Sequence, residues 1–187
     1  MLLQIIDETK KSIENECFIA ALSLAITLPD ICGKAAYPKE NVGPRYIKWY
    51  DTYIGKYEMP HEPTMQDMPY SSGELVYSLR NSLLHQGTPN INTEKIHEKR
   101  CQVDRFILTI DEVSYGGTSY ISYIQDSEIE ERVLEVNIIN LCSKLCTAAK
   151  SYYLKNESKF DFFKYELHDI RYSYSCRTAN KSSCLLH

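Results

Sequence analysis

Three side chains suited to phosphate chemistry lie close together in the segment SLRNSLLHQG, residues 78–87. His85 can accept and donate a proton near neutral pH. The forked guanidinium of Arg80 can hold phosphate oxygens while negative charge develops on them. Asn81 can orient the imidazole or bind the phosphate. These groups supply the proton transfer and charge stabilisation needed when a ribose 2′-hydroxyl attacks its own phosphodiester.

Capping signals predict that this segment lies late in a helix over about 72–86. Ser71 or Ser72 can cap its first turn, and Glu74 complements the helix dipole there. Gly87 is typical of the residue at which a helix ends. The helix would therefore hold the three polar side chains in a fixed arrangement.

The polar residues lie opposite the predicted core face of this helix. The leucines of that core-facing stripe are Leu75, Leu79 and Leu83. On a wheel with about 100° per residue, Arg80, Asn81 and His85 fan across the other side. Tyr77 and Leu84 fall among them, where a face exposed only to water would seldom carry apolar groups. We therefore expect this side to be covered, with Tyr77 and Leu84 at a homodimer interface.

The remaining pattern predicts a mainly α-helical bundle with an inserted or appended β-hairpin. Helical spacing of apolar residues marks most segments, and the Gly116-Gly117 pair predicts a hairpin turn. Helices are predicted at 2–28, from Pro44 on, and at 72–86, 128–154 and 158–168, with a loop at 58–71 and the hairpin at 105–125. We predict one domain over 1–174 and a flexible tail over 175–187.

Charge restricts the kinds of partner that the chain can bind. The 187 residues carry a net charge of −4, which argues against a surface coated with positive charge for duplex DNA. Basic residues gather instead in one stretch after the motif helix, and we predict that this patch binds RNA. Its members are Lys95, Lys99, Arg100 and Arg105.

Seven cysteines at irregular spacings indicate a reducing compartment, the cytoplasm, rather than a disulfide framework. The chain has no CxxC pair of the kind that zinc ribbons use. Cys142 and Cys146 are four residues apart in a predicted helix, and buried thiols are favoured there over a metal pair. We expect no metal and no other cofactor.

The apolar run CFIAALSLAITL, which begins at Cys17, predicts a buried helix. Its twelve residues are too few to cross a bilayer. Acidic residues precede it, unlike the basic leader of a signal peptide. We therefore expect no association with a membrane.

The segment LRNSLLHQG resembles the Arg-x4-6-His signature of HEPN domains, in which a polar residue often follows the arginine. Asn81 occupies that place. The preceding segments are also similar to the family's arrangement, with an apolar N-terminal helix, the aromatic helix RYIKWYDTYI and a loop leading into the motif helix. The resemblance covers about residues 1–90, with the helices predicted over 128–168 as further members and the hairpin as an insertion.

The resemblance implies a HEPN-like helical bundle and a metal-independent endoribonuclease, often a toxin or defence effector that has a cognate antitoxin. It implies a homodimer with both motifs at the interface, where Arg80, Asn81 and His85 would be catalytic. Two copies of His85 could then divide the roles of base and acid. In a related lineage, a partner nucleotidyltransferase modifies a tyrosine two residues after the histidine. Gly87 occupies that position here, so such modification is not supported.

Two other interpretations stay open. The chain can be a non-catalytic helical module of the same fold that binds RNA, a nucleotide or a partner protein. It can also be a structural bundle with no role in nucleic-acid binding. Loss of RNA cleavage in His85→Ala separates the first hypothesis from these two, and RNA binding separates these two from one another.

Overall fold

Seven α-helices and a three-stranded sheet make up the part of the chain that a computed structural model describes, residues 1–61, 68–89, 91, 96, 103–111, 118–123 and 129–162. The helices are α1 (Leu2–Glu14), α2 (Phe18–Ala25), α3 (Leu28–Ala36), α4 (Val42–Tyr50), α5 (Lys56–Glu58), α6 (Gly73–Gln86) and α7 (Ile138–Lys155). A π-helical turn, Asp51–Gly55, joins α4 to α5, and a 3-10 turn, Glu157–Phe160, follows α7. The strands are β1 (Arg105–Thr109), β2 (Thr118–Tyr123) and β3 (Ile129–Asn137).

The N-terminal segment is two helices and the start of a third, so the single helix predicted over 2–28 is wrong. The backbone of Glu16 has a φ of 57°, in the left-handed region that interrupts a helix. The side-chain amide of Asn15 donates to the carbonyl of Lys11 at 2.7 Å, beside the bond from the backbone amide of Asn15 at 3.1 Å, so α1 closes at this residue. The break lets α2 fold back against α1.

The apolar run is a core element, as its composition predicts. Ala21, Leu22 and Ala25 of α2 have no exposed surface. Within the described residues, one stretch, Phe18–Ala36, has the length and the hydropathy that would allow it to cross a membrane. Half of this stretch is buried inside the fold. Core helices of soluble proteins pass the same test.

Helix α4 packs closely against both α3 and α6. A Cβ added to Gly33 of α3 would lie 2.8 Å from the carbonyl oxygen of Arg45, and one added to Gly73 of α6 would lie 2.7 Å from that of Ile47. The helix begins at Val42, two residues before the predicted start at Pro44. These contacts bring the first turns of α3 and α4 beside α6, which carries the polar motif.

The sheet differs from the predicted pairing. Its strand order is β1-β3-β2, with β1 parallel to β3 and β2 antiparallel to β3. The antiparallel hairpin therefore consists of β2 and β3, and the pairing of the two halves of 105–125 is wrong. The mainly α-helical fold with a β-hairpin is confirmed, because helices form most of the core.

The long helix predicted at 128–154 is also partly wrong, since residues 129–137 form β3. The side chain of Asn137 accepts a hydrogen bond from the backbone of Asn140 at 2.9 Å and caps α7 at Ile138. Of the helix predicted at 158–168, the described part is the 3-10 turn Glu157–Phe160 and two following residues. The tail over 175–187 and the Gly116-Gly117 turn lie outside the described residues.

Candidate functional site

Local signals in the sequence position the motif helix correctly. The side chain of Ser72 accepts a hydrogen bond from the backbone of Leu75 at 3.2 Å, so it caps α6. Gly87 has a φ of 68° and ends the helix in the left-handed conformation, which glycine adopts without strain. The predicted stripe of Leu75, Leu79 and Leu83 is buried in the core. The helix predicted over 72–86 is therefore confirmed.

Arg80 is the centre of a compact polar cluster. Its Nη1 lies 2.9 Å from Oδ1 of Asn81 and 3.0 Å from Nε2 of His85. Its Nε and Nη2 lie 2.9 Å and 2.8 Å from the same oxygen, Oδ2, of Asp30. The structure thus brings the three predicted catalytic residues together, and we call them with Asp30 the Arg80 cluster.

Asp30 is the member that the sequence did not reveal. It lies in the first turn of α3, fifty positions before Arg80. Its place after Pro29 at a helix start gives it an ordinary structural explanation, so no signal in the sequence marked it. The carboxylate offsets the charge of Arg80 across the contact between α3 and α6.

The contact between Arg80 and His85 engages one ring nitrogen of the imidazole. A guanidinium offers only donors, so Nε2 of His85 is the acceptor in this contact. The lone pair that a general base would use is therefore engaged by Arg80. Before His85 can accept a proton from a substrate, Arg80 must donate this hydrogen bond to another acceptor, such as a phosphate oxygen.

The cluster is partly buried, and burial disfavours the charged form of its carboxyl group. The side chains of Arg80 and Asp30 retain 18% and 17% exposure. Burial raises the pKa of Asp30, although the charges of Arg80 and Arg45 oppose that shift. Among the described residues, Oδ1 of Asp30 has no hydrogen-bond partner.

Arg45 adds a second guanidinium close to this cluster. It lies on α4, and its charge acts on Asp30. Its Nε is buried and lacks a hydrogen-bond partner among the described residues. Lys48, the other basic residue considered on this helix, pairs with Glu40 at 2.6 Å on the surface. Two guanidiniums against one carboxylate leave the site with excess positive charge, as an anionic substrate requires.

Tyr77 and Leu84, the predicted dimer-interface residues, differ in their surroundings. The ring of Tyr77 lies 5.1 Å from that of Tyr46 and against Gly43, so α4 of the same chain already covers it. This contact explains an apolar residue on the polar side of α6 without a second chain. Leu84 remains 38% exposed next to His85, so an interface residue is still predicted there.

The predicted basic patch is described at one position. Lys95, Lys99 and Arg100 lie outside the described residues. Arg105 begins β1, and its Nε lies 3.1 Å from a carboxylate oxygen of Glu131 on β3. This ion pair partly offsets the positive charge of Arg105, and RNA binding at the patch stays a prediction.

Cys142 and Cys146 are buried free thiols, as predicted. Burial raises the pKa of Cys142 to about 12 and also raises the pKa of Cys146. In the part of the chain that the structure describes, no group of three or more histidine, cysteine, aspartate or glutamate residues is placed to hold a metal ion.

The chain matches no family model, no curated protein and no solved structure. The chemistry of the Arg80 cluster therefore carries the functional argument.

Proposed function

We propose that the chain is a metal-independent endoribonuclease of HEPN type that acts as a homodimer, in the manner of a toxin or defence effector. The observation that carries this proposal is the 3.0 Å contact between Nη1 of Arg80 and Nε2 of His85. A guanidinium and an imidazole at this distance can both contact one phosphodiester, which supports the proposed roles of phosphate binding and proton transfer. Asn81, at 2.9 Å from the same Nη1, helps to hold the guanidinium in position.

The reaction begins when a phosphate oxygen of RNA replaces His85 as the acceptor of the Arg80 hydrogen. Nε2 of His85 then takes the proton of the ribose 2′-hydroxyl, whose oxygen attacks phosphorus. The new bond joins O2′ to phosphorus and the bond to O5′ breaks, which gives a 2′,3′-cyclic phosphate and a 5′-hydroxyl. The leaving oxygen needs a proton, and a protonated His85 of a second copy would supply it. Exposed Leu84 beside His85 favours such a seam.

The test is cleavage of single-stranded RNA by purified protein in EDTA. We expect wild type to cleave and His85→Ala and Arg80→Ala to lose about a hundredfold or more in rate, as removal of a catalytic proton carrier does. His61→Ala is the matched control, because His61 is an exposed histidine outside the cluster. Arg132→Ala is the control for Arg80, since Arg132 is another ion-paired arginine. Equal cleavage by wild type and both cluster variants would refute the proposal.

A second candidate is a non-catalytic HEPN-like module that binds RNA, a nucleotide or a partner protein such as an antitoxin. The observation that favours it is the engagement of Arg80 by Asp30, which makes the arginine part of the link between α3 and α6. In that case wild type binds RNA without cleaving it. Binding would also survive His85→Ala, as measured by electrophoretic mobility shift.

A further inference from the structure

A cleft of about 550 Å³ lies along α7 from Ser143 to Lys155, and the π-helical turn and α5 form its other wall. None of the residues that line it belongs to the Arg80 cluster. Its volume is within the range of about 300–1,000 Å³ that small-molecule sites occupy. The cleft is therefore large enough for a ligand of its own.

Tyrosine rings form an aromatic wall in this cleft. The rings of Tyr53 and Tyr152 meet edge to face with their centroids 5.2 Å apart, which holds both in fixed orientations. Tyr57 also lines the cleft and is 70% exposed. Nζ of Lys56 lies 4.7 Å from the centroid of its ring, and the opposite face of the ring remains for a ligand. Rings presented in this way are suited to stacking against a planar heterocycle.

The hydroxyl of Tyr152 is a buried hydrogen-bond donor that a ligand could satisfy. The residue is 6% exposed, and its Oη has no hydrogen-bond partner among the described residues. Burial raises the pKa of this phenol to about 12, so it keeps its proton at neutral pH. An unsatisfied buried polar group is costly, and an acceptor on a bound ligand would remove that cost.

The charged residues of the cleft favour an anion. Lys144 and Lys155 line it together with one carboxylate, that of Glu58. Nζ of Lys144 lies 2.7 Å from Glu58, so these two charges offset each other. Lys155 therefore gives the lining a net positive charge, and this residue is the last one of α7.

Small hydroxyl residues follow one another along the wall that α7 provides. Ser143, Thr147 and Ser151 recur at four-residue intervals, which places them on one face of the helix, and all three line the cleft. Each hydroxyl both donates and accepts hydrogen bonds. Such a row matches a ligand that carries several hydroxyls, as a sugar does.

We propose that this cleft binds a nucleotide. The exposed rings of Tyr53 and Tyr57 stack on the base, the row of hydroxyls contacts the sugar, and Lys155 pairs with the phosphate. The same chemistry occurs in a free nucleoside monophosphate and in one unit of a single-stranded nucleic acid, and the two sources are separated by experiment.

Trp49 provides a direct readout of occupancy. It is the single tryptophan of the chain. Its ring lies 5.1 Å from that of Tyr53 and 6.0 Å from that of Tyr152, so a ligand stacked in the cleft changes the surroundings of the indole. Wild-type protein is titrated with AMP, adenosine and a single-stranded oligodeoxynucleotide while tryptophan fluorescence is followed. The DNA probe lacks the 2′-hydroxyl, so proposed ribonuclease activity cannot consume it.

We expect saturable quenching by AMP, by the oligodeoxynucleotide or by both, which identifies the source of the nucleotide. Lys155→Ala should weaken AMP binding about tenfold, because it removes a charge-assisted contact, and should change adenosine binding little. Tyr57→Ala should weaken both. Lys150→Ala is the matched control, since Lys150 is exposed on the same helix and does not line the cleft.

Tyr152→Phe gives a second, independent test. It removes the buried hydroxyl and keeps the ring, so it should weaken AMP binding without lowering the melting temperature of the free protein. Absence of binding by all three probes would overturn the proposal. So would binding that persists at wild-type affinity in Lys155→Ala and Tyr57→Ala.

Discussion

The ion pair between Asp30 and Arg80 should couple α3 to α6 strongly enough to measure. Arg80→Met keeps an apolar stem but leaves the Asp30 carboxylate, 17% exposed, without its cation. Removal of one partner from a buried pair costs about 3–5 kcal/mol. The carboxyl can limit this cost by taking up a proton. For a group with an ordinary pKa of 3.8, that protonation costs about 4 kcal/mol at neutral pH. We therefore expect Arg80→Met to lower the free energy of unfolding by about 3 kcal/mol.

A double-mutant cycle separates the pairwise contribution from the effects of the single changes. Asp30→Asn keeps an oxygen that can accept a hydrogen bond from Arg80, so we expect it to lower the free energy of unfolding by about 1–2 kcal/mol. In the double variant neither charge remains, and the coupling free energy should be about 2 kcal/mol. The free energies come from urea unfolding followed by circular dichroism. For a chain of this size, roughly 2–4 °C of melting temperature corresponds to each kcal/mol.

The surface pair of Lys48 and Glu40 is the control for this cycle. Its side chains are 52% and 36% exposed, so water screens their attraction. Lys48→Met and Glu40→Gln should therefore show coupling close to zero. If the cycle at Asp30 and Arg80 gave coupling as small as this control, the argument that Asp30 holds Arg80 in the cluster would fail.

Two further predictions concern titratable groups. Burial raises the folded pKa of Asp30, so its contribution to the free energy of unfolding is full below the ordinary value of 3.8 and is lost as the pH rises through the folded pKa. Asp30→Asn should remove this decline, and parallel urea-unfolding profiles of wild type and variant across that pH window would contradict the assignment. Exposed Cys17 should react with iodoacetamide much faster than Cys142, whose pKa burial raises to about 12. Peptide mapping by mass spectrometry measures both rates, and equal labelling in the native protein would show that Cys142 is not buried.

Asp30 also bears on how the proposed ribonuclease would be controlled. The guanidinium of Arg80 directs two of its nitrogens to Asp30 and one to Asn81 and His85. In the proposed reaction, an RNA phosphate would therefore compete with Asp30, Asn81 and His85 for the hydrogens of Arg80. Arg45 adds a second positive charge that acts on Asp30, although its unpartnered Nε is buried.

The sequence by itself determined the motif helix. Its limits depend on groups within a few residues of each end, the hydroxyl of Ser72 and the left-handed Gly87, and such interactions need no knowledge of the rest of the fold. The core stripe and the spread of Arg80, Asn81 and His85 across the opposite side follow from the same helical period. The contact between Arg80 and His85, five residues apart, depends also on the length of the arginine side chain. These are local properties, and the structure has them as the sequence predicts.

Tertiary structure decided where strand replaces helix. In β3, apolar residues at Ile129, Val133 and Val136 fit a helical period, and the sequence therefore predicted a continuous helix from 128. The pairing of Val133 with Arg105 and of Val136 with Leu108 supplies strand hydrogen bonds from a distant segment. Local spacing contains no information on that partner.

Tertiary structure also decided the electrostatics of the candidate site. Asp30 and Arg80 are fifty positions apart, and they meet because glycines at two helix contacts let α4 pack tightly between α3 and α6. Burial at that junction raises the pKa of Asp30, and Arg80 links this carboxyl group to His85. The residue types that can do the chemistry were evident from the sequence. Their protonation and their partners depend on which distant side chains the packed helices bring together.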